Sequence, residues 1–176
     1  MASQIKIGVS SCLLGERVRY DGSDKREPYI ADVLGRIFAL VPVCPEVGCG
    51  LPVPREVMRL EGDPVHPRLV TVESRLDLTE RLHAWCRLKV KELEGENIAG
   101  FILKSRSPSC GLFRVEVFSQ GRTESGRGLF AAALTAYFPD LPVEEEGRLG
   151  DVRLREEFIE RASAYRHRRK REEEAP

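Results

Sequence analysis

Three cysteines in this chain sit in the same kind of place. Cys12 follows the run Ile5–Val9, Cys44 follows Phe38–Val43, and Cys110 follows Phe101-Ile102-Leu103. Each apolar run reads as a short strand, and each thiol lies in the polar turn just beyond it, near glycine or proline. Three thiolates brought to one point could hold zinc, hold an iron–sulfur cluster, or carry out redox exchange. A C-x-x-C dithiol is missing, and structural zinc usually takes four ligands from paired knuckles. A cubane cluster held by only three thiolates leaves one iron open. Open iron acts as a Lewis acid, and a soft one favours a soft substrate atom such as sulfur.

Acid–base candidates lie beside these thiols. Glu46 in Cys44-Pro45-Glu46 can point at whatever the metal binds, or simply be a solvated turn carboxylate. Ser107 and Ser109 flank Pro108 ahead of Cys110, where they could relay a proton or satisfy the turn's own backbone. Lys104 ends its strand, where a cation can steady an anion or reach water. Cys86 falls on the apolar stripe of a helix and reads as a packed core thiol. Cys49, between Gly48 and Gly50, reads as a small turn residue more than a ligand. The run Glu144-Glu145-Glu146 reads as a solvated face, and His66, His83 and His167 show no ligand spacing.

The elements that must position these groups alternate. After the first strand, a long polar stretch from Gly15 to Glu27 reads as a loop over a site. Pro28 opens a helix with Ile30, Val33, Leu34 and Ile37 on one face. Pro42 within the second strand points to a sheet edge or a strand end. Leu69–Val72 reads as an accessory strand. Asp77 is expected to cap a helix, with Glu80 as its capping-box partner and Leu78, Leu82, Cys86, Val90 and Leu93 as its stripe. Beyond the strand ending at Leu103, Arg114–Ser119 reads as a further strand and Leu129–Phe138 as a helix. Leu141–Arg148 reads as a connection. A last helix carries Leu154, Phe158, Ala162 and Tyr165. The expected fold is therefore α/β: one Rossmann-like domain over residues 1–165, with a largely parallel sheet flanked by helices. Residues 166–176 are expected to form a charged tail that frays from His167. In such folds the site lies at the carboxyl ends of the strands.

Composition narrows the class. Lys+Arg and Asp+Glu are both 28, and the formal net charge is +0. Nucleic-acid and membrane-surface binders usually lean basic, so neither is favoured. Apolar residues at 41% and charged residues at 32% fit a globular domain. Membrane spans are not expected, because no apolar run reaches eighteen residues. Met1-Ala2-Ser3-Gln4-Ile5-Lys6 leads straight into a strand without a signal-peptide pattern. Five widely spaced cysteines, an odd number, fit a reducing cytoplasm better than a disulfide framework.

The motifs themselves resemble a known family. Ser11-Cys12-Leu13-Leu14-Gly15 with Val18-Arg19-Tyr20-Asp21-Gly22 is similar to its first motif, and Cys44-Pro45-Glu46 with Gly50-Leu51-Pro52 and Pro54-Arg55 to its second. Phe101-Ile102-Leu103-Lys104 and Ser107-Pro108-Ser109-Cys110-Gly111 are similar to the third. Gly128-Leu129-Phe130-Ala131 and Pro142–Leu149 complete the pattern. This is the thiouracil desulfurase (desulfidase) family of bacteria and archaea. The resemblance implies a [4Fe-4S] cluster held by Cys12, Cys44 and Cys110, a catalytic Glu46 and a catalytic Ser107. Ser109 and Lys104 are then expected to contact substrate. The implied reaction is non-redox removal of sulfur from a thiolated pyrimidine such as 2-thiouracil, or a related thioamide, releasing hydrosulfide. Three readings compete with it: a non-catalytic iron–sulfur protein for sulfur or electron transfer or sensing, a zinc hydrolase with Cys49 as fourth ligand, and sulfur handling on tRNA.

Overall fold

The computed structural model describes residues 4–175. Met1, Ala2 and Ser3, expected to lead into the first strand, lie outside the described residues. Eight strands form two sheets. The first is built from β2 (Ala39–Val43), β1 (Lys6–Ser10), β5 (Ile98–Leu103) and β8 (Val143–Glu145), in that spatial order. All its pairings are parallel. The central strand β5 is buried along its whole length and β1 over four of its five residues, as expected of parallel strands covered on both faces. Pro42 lies on the edge strand β2, which has no neighbour on its far side and tolerates a missing N–H.

Helices cover both faces. Consecutive residues of a strand point to opposite sides. Phe101 of β5 meets Phe130 of α4 (Leu129–Tyr137) edge-to-face at 5.4 Å, and Phe130 in turn meets Trp85 of α3 (Thr79–Gly95) at 5.6 Å. On the other side of β5, Phe158 of α5 (Val152–Glu174) reaches Gly100. Gly8 of β1 lies under the Phe101 ring, where even a Cβ would come within 2.2 Å of it. The expected α/β class with a parallel sheet flanked by helices therefore holds.

Several local expectations are corrected. The helix after Pro28 is a single π turn, Tyr29–Leu34, running into α1 (Gly35–Ile37). Its wider turn sends Ile30 and Leu34 into the core and leaves Val33 and Ile37 exposed. Asp77 does receive the Thr79 N–H at 3.0 Å, but Glu80 pairs with His83 and closes no capping box. Leu141–Arg148 is more than a connection, since it contains β8. The charged segment beyond His167 is helical and continues α5 to Glu174, with ion pairs such as Lys170–Glu174 one turn apart along it. No helix among the described residues is long and apolar enough to cross a membrane.

The second sheet, in the order β4 (Pro67–Thr71), β3 (Met58–Gly62), β6 (Val115–Ser119) and β7 (Arg122–Gly126), is mixed. It is pinned by Glu61 on β3. That buried carboxylate takes Arg75 at 2.6 and 2.7 Å and Arg59 at 2.7 Å. Hydrogen bonds from Arg75, then from Arg59, hold its pKa near about 2, below the ordinary 4.5. A carboxyl depressed in the folded state stabilises the fold above its unfolded value, and that contribution is lost as pH falls through the folded value. Glu61→Gln should therefore lower the thermal midpoint at neutral pH, and the gap to wild type should close between pH 4.5 and about 2. Parallel melting curves across that range, followed by circular dichroism, would count against the assignment.

Candidate active site

Strands β2, β1 and β5 are adjacent and parallel, so their carboxyl ends open on the same edge of the sheet. Cys12 stands in the 3₁₀ turn Ser11–Leu14 after β1, Cys44 directly after β2, and Cys110 in the loop after β5. All three line one cavity of about 550 Å³, together with Arg19, Glu46, Lys104 and Ser107.

The loop from Lys104 to Phe113 is fixed by a dense set of hydrogen bonds. The Ser107 hydroxyl accepts the N–H groups of Ser109 (3.2 Å) and Cys110 (3.0 Å), and the Ser107 carbonyl accepts that of Gly111 (2.9 Å). The first turn of α4 would otherwise leave N–H groups unpaired. Leu129 and Phe130 give theirs to the carbonyls of Pro108 (3.1 Å) and Ser109 (2.9 Å). Gly128 permits this approach, because a Cβ there would lie 2.6 Å from the Ser109 backbone. On the far side, the Glu145 carboxylate accepts the N–H groups of Leu112 (2.8 Å) and Phe113 (3.0 Å).

Glu46 belongs to the short helix α2 (Pro45–Gly48) after Cys44. Its Oε2 takes Arg55 Nε at 2.7 Å, and its Oε1 takes the Ser109 hydroxyl at 2.9 Å. The same guanidinium reaches the Val18 carbonyl at 2.8 Å, which ties the Gly15–Glu27 loop to the carboxylate. Lys104 Nζ pairs with Glu146 at 2.5 Å and also reaches Ser105.

Burial works against the charged form of each thiol. Burial pushes Cys12 up to about 11, with Lys104 and Arg19 pulling it down and Cys44 pushing it further up. Burial also raises Cys44, against the N–H groups of Val47 and Glu46 that favour its thiolate. Cys110 is raised well above the ordinary thiol range by burial; a Ser10 hydrogen bond lowers it, while Cys44 and Cys12 raise it. A cationic occupant would offset the repulsion among three thiolates, and metal binding expels thiol protons. Among the described residues, no three His, Cys, Asp or Glu side chains close around a point tightly enough for a lone metal ion. A trio of thiols spread around a cavity of this size suits a multi-iron cluster.

Of the residues expected from sequence, the structure gathers Cys12, Cys44, Cys110, Glu46, Ser107 and Lys104 around the cavity. Ser109 is fully buried and spends its hydroxyl on Glu46. Cys49 does not line the cavity; its Sγ donates to the Glu46 carbonyl at 3.2 Å. The Glu144–Glu146 run is not a solvated face. Glu144 pairs with Arg148 at 2.8 Å, Glu145 holds the Cys110 loop, and Glu146 holds Lys104. The signal that could have found it was local: these residues follow an apolar Leu141-Pro142-Val143 run, as the other site residues follow theirs.

Three thiols at the carboxyl edge of a parallel sheet, with a hydrogen-bonded carboxylate beside them, thus share one cavity on an α/β domain. Residues 7–146 match the profile of the 2-thiouracil desulfurase family, and the chain belongs to that family. The matched span runs from β1 to Glu146 and takes in every cavity residue named above. The chain is also similar to the solved structure of the [4Fe-4S]-dependent thiouracil desulfidase TudS. The two are 34% identical over 84% of this chain and 94% of that one, with a TM-score of 0.68. No curated protein matches the chain.

Proposed function

We propose that this protein removes sulfur from a thiolated pyrimidine such as 2-thiouracil by hydrolysis, with Cys12, Cys44 and Cys110 as the ligands of a [4Fe-4S] cluster. The observation that carries the reading is the meeting of three thiols and the braced Glu46 carboxylate in one cavity. A cluster bound by three thiolates supplies an open iron, a Lewis acid for the thiocarbonyl sulfur.

The protein's own residues do the rest. Glu46, with one oxygen on Arg55 and the other on Ser109, is aimed by two donors and accepts the proton of a water attacking the thiocarbonyl carbon. Ser107 Oγ already accepts two backbone N–H bonds, so its own hydrogen is free to be donated to the substrate as the C–S bond breaks. Ser109 acts through Glu46 as a positioning residue. Lys104, neutralised by Glu146, places a cation at the cavity wall without a net charge. Water supplies the oxygen of the new carbonyl, sulfur leaves as hydrosulfide, and no electrons are exchanged. The balanced charge of the chain gives no general attraction for nucleic acid, so a small thiolated base or related thioamide is the proposed substrate. All five cysteines are free thiols, which fits a cytoplasmic setting.

Incubating anaerobically prepared protein with 2-thiouracil in the absence of any reductant should give uracil and sulfide in equal amounts. Sulfide released only when a reductant is added, or not at all, would contradict a hydrolytic desulfuration.

A further inference from the structure

One buried polar atom beside the cavity is unaccounted for. Among the described residues, Arg19 Nη1 is the single buried side-chain nitrogen or oxygen without a hydrogen-bond partner. Arg19 lies on the Gly15–Glu27 loop and lines the same cavity as the three thiols. The carboxylates that could have paired with it are already engaged. Glu46 is held by Arg55 and Ser109, Glu146 by Lys104 and Ser105, and Asp21 of the same loop by the Ser23 hydroxyl and N–H. The loop backbone is fixed around it, with Arg19 N donating to Ser23 O at 3.2 Å and Gly22 N to Arg19 O at 2.9 Å. Burying a cationic N–H without an acceptor is unfavourable, and a guanidinium that turns toward a ligand's acceptor recovers the cost.

The chemistry of a thiolated pyrimidine identifies that acceptor. Its sulfur is a weak acceptor and is directed to the thiol trio, while its ring N–H groups are donors and cannot serve a guanidinium. The remaining exocyclic carbonyl oxygen is the one strong acceptor. We propose that the Arg19 guanidinium, which lines the cavity, donates a hydrogen bond to this oxygen, which makes Arg19 the residue that orients the ring and selects for a second oxygen. The inference rests on the desulfuration reading. The same bond withdraws electron density through the conjugated ring, so the carbon bearing sulfur becomes more open to attack by water.

The test compares two ligands that differ in this oxygen and in the N3 proton that accompanies it, and the N3 difference is common to wild type and variant. Dissociation constants for uracil and pyrimidin-2-one are measured by calorimetry on the cluster-loaded wild type and on Arg19→Met, alongside kcat/KM for 2-thiouracil. Wild type should bind uracil roughly 10- to 100-fold more tightly than pyrimidin-2-one, the worth of one charge-assisted hydrogen bond. Arg19→Met should lose that preference and a similar factor in kcat/KM while keeping its cluster absorption. The proposal is overturned if wild type shows no preference, or if the variant weakens both ligands equally. A change in cluster absorption with the uracil preference intact also overturns it, by placing the guanidinium at the cluster. Absence of sulfide release from wild type is a separate result, and it refutes the desulfuration reading itself.

Discussion

Cys110→Ser is expected to yield a protein without bound iron and without sulfide release, yet with its secondary structure unchanged. Cys110 lies in a loop whose backbone is held by Ser107, Glu145 and the first turn of α4, so the fold does not depend on its sulfur. What the serine removes is a soft, readily ionised ligand; its hydroxyl is harder and far less acidic, a poor replacement for a thiolate on iron. Two thiolates, from Cys12 and Cys44, are then left to hold a cluster, and the loss should be complete. Iron and acid-labile sulfide per chain are the direct measure, with circular dichroism as the check on folding. Cys49→Ala is the contrast, because Cys49 lies off the cavity and should keep its iron. Full iron in Cys110→Ser would remove this residue from the ligand set. Loss of metal from Cys49→Ala would revive the zinc reading.

The second large effect is at Glu46. Glu46→Gln preserves size and an acceptor for Ser109 but removes the base, and a positioned acid–base group typically contributes 10²- to 10⁴-fold, roughly the loss expected in kcat. Visible absorption of the cluster should be unaffected. Stability should also fall, because the substitution removes the counter-charge of a guanidinium that is only 6% exposed and leaves it the Val18 and Pro52 carbonyls alone. Breaking a buried pair by removing one partner costs roughly 3–5 kcal/mol. Thermal melts and single-turnover sulfide release on the same preparation separate the two effects. A stability loss with undiminished turnover would make Glu46 a structural anchor for Arg55 and nothing more.

The positions of the chemistry were legible in the sequence to the extent that local signals carried them. An apolar run followed by a turn with glycine or proline locates Cys12, Cys44 and Cys110 at strand ends, and the α/β alternation suggests parallel strands, whose adjacency the fold then supplies. What local signals do not carry is how side chains far apart in sequence pair. Arg55 looks like one more charge in a proline-rich stretch until the fold sets its guanidinium on Glu46 and on Val18. Glu144–Glu146 looks solvated because charge runs usually are; β8 is a three-residue edge strand, too short for a period-two pattern to register. The β6–β7 hairpin turns at Gln120-Gly121, both with positive φ, a weaker signal than Asn-Gly. The family resemblance singles out Ser107 of Ser107-Pro108-Ser109 as catalytic and leaves Ser109 to the substrate, and the hydrogen bonds give the two different work: Ser107 lines the cavity, whereas Ser109 braces Glu46 from inside.

The central claim is that Cys12, Cys44 and Cys110 carry an iron–sulfur cluster, and purification without oxygen tests it most directly. The visible spectrum is recorded and iron, zinc and acid-labile sulfide are assayed in one sample. A brown protein approaching the four irons and four sulfides of a [4Fe-4S] cluster per chain is the predicted result. A colourless protein with stoichiometric zinc and no labile sulfide would contradict it.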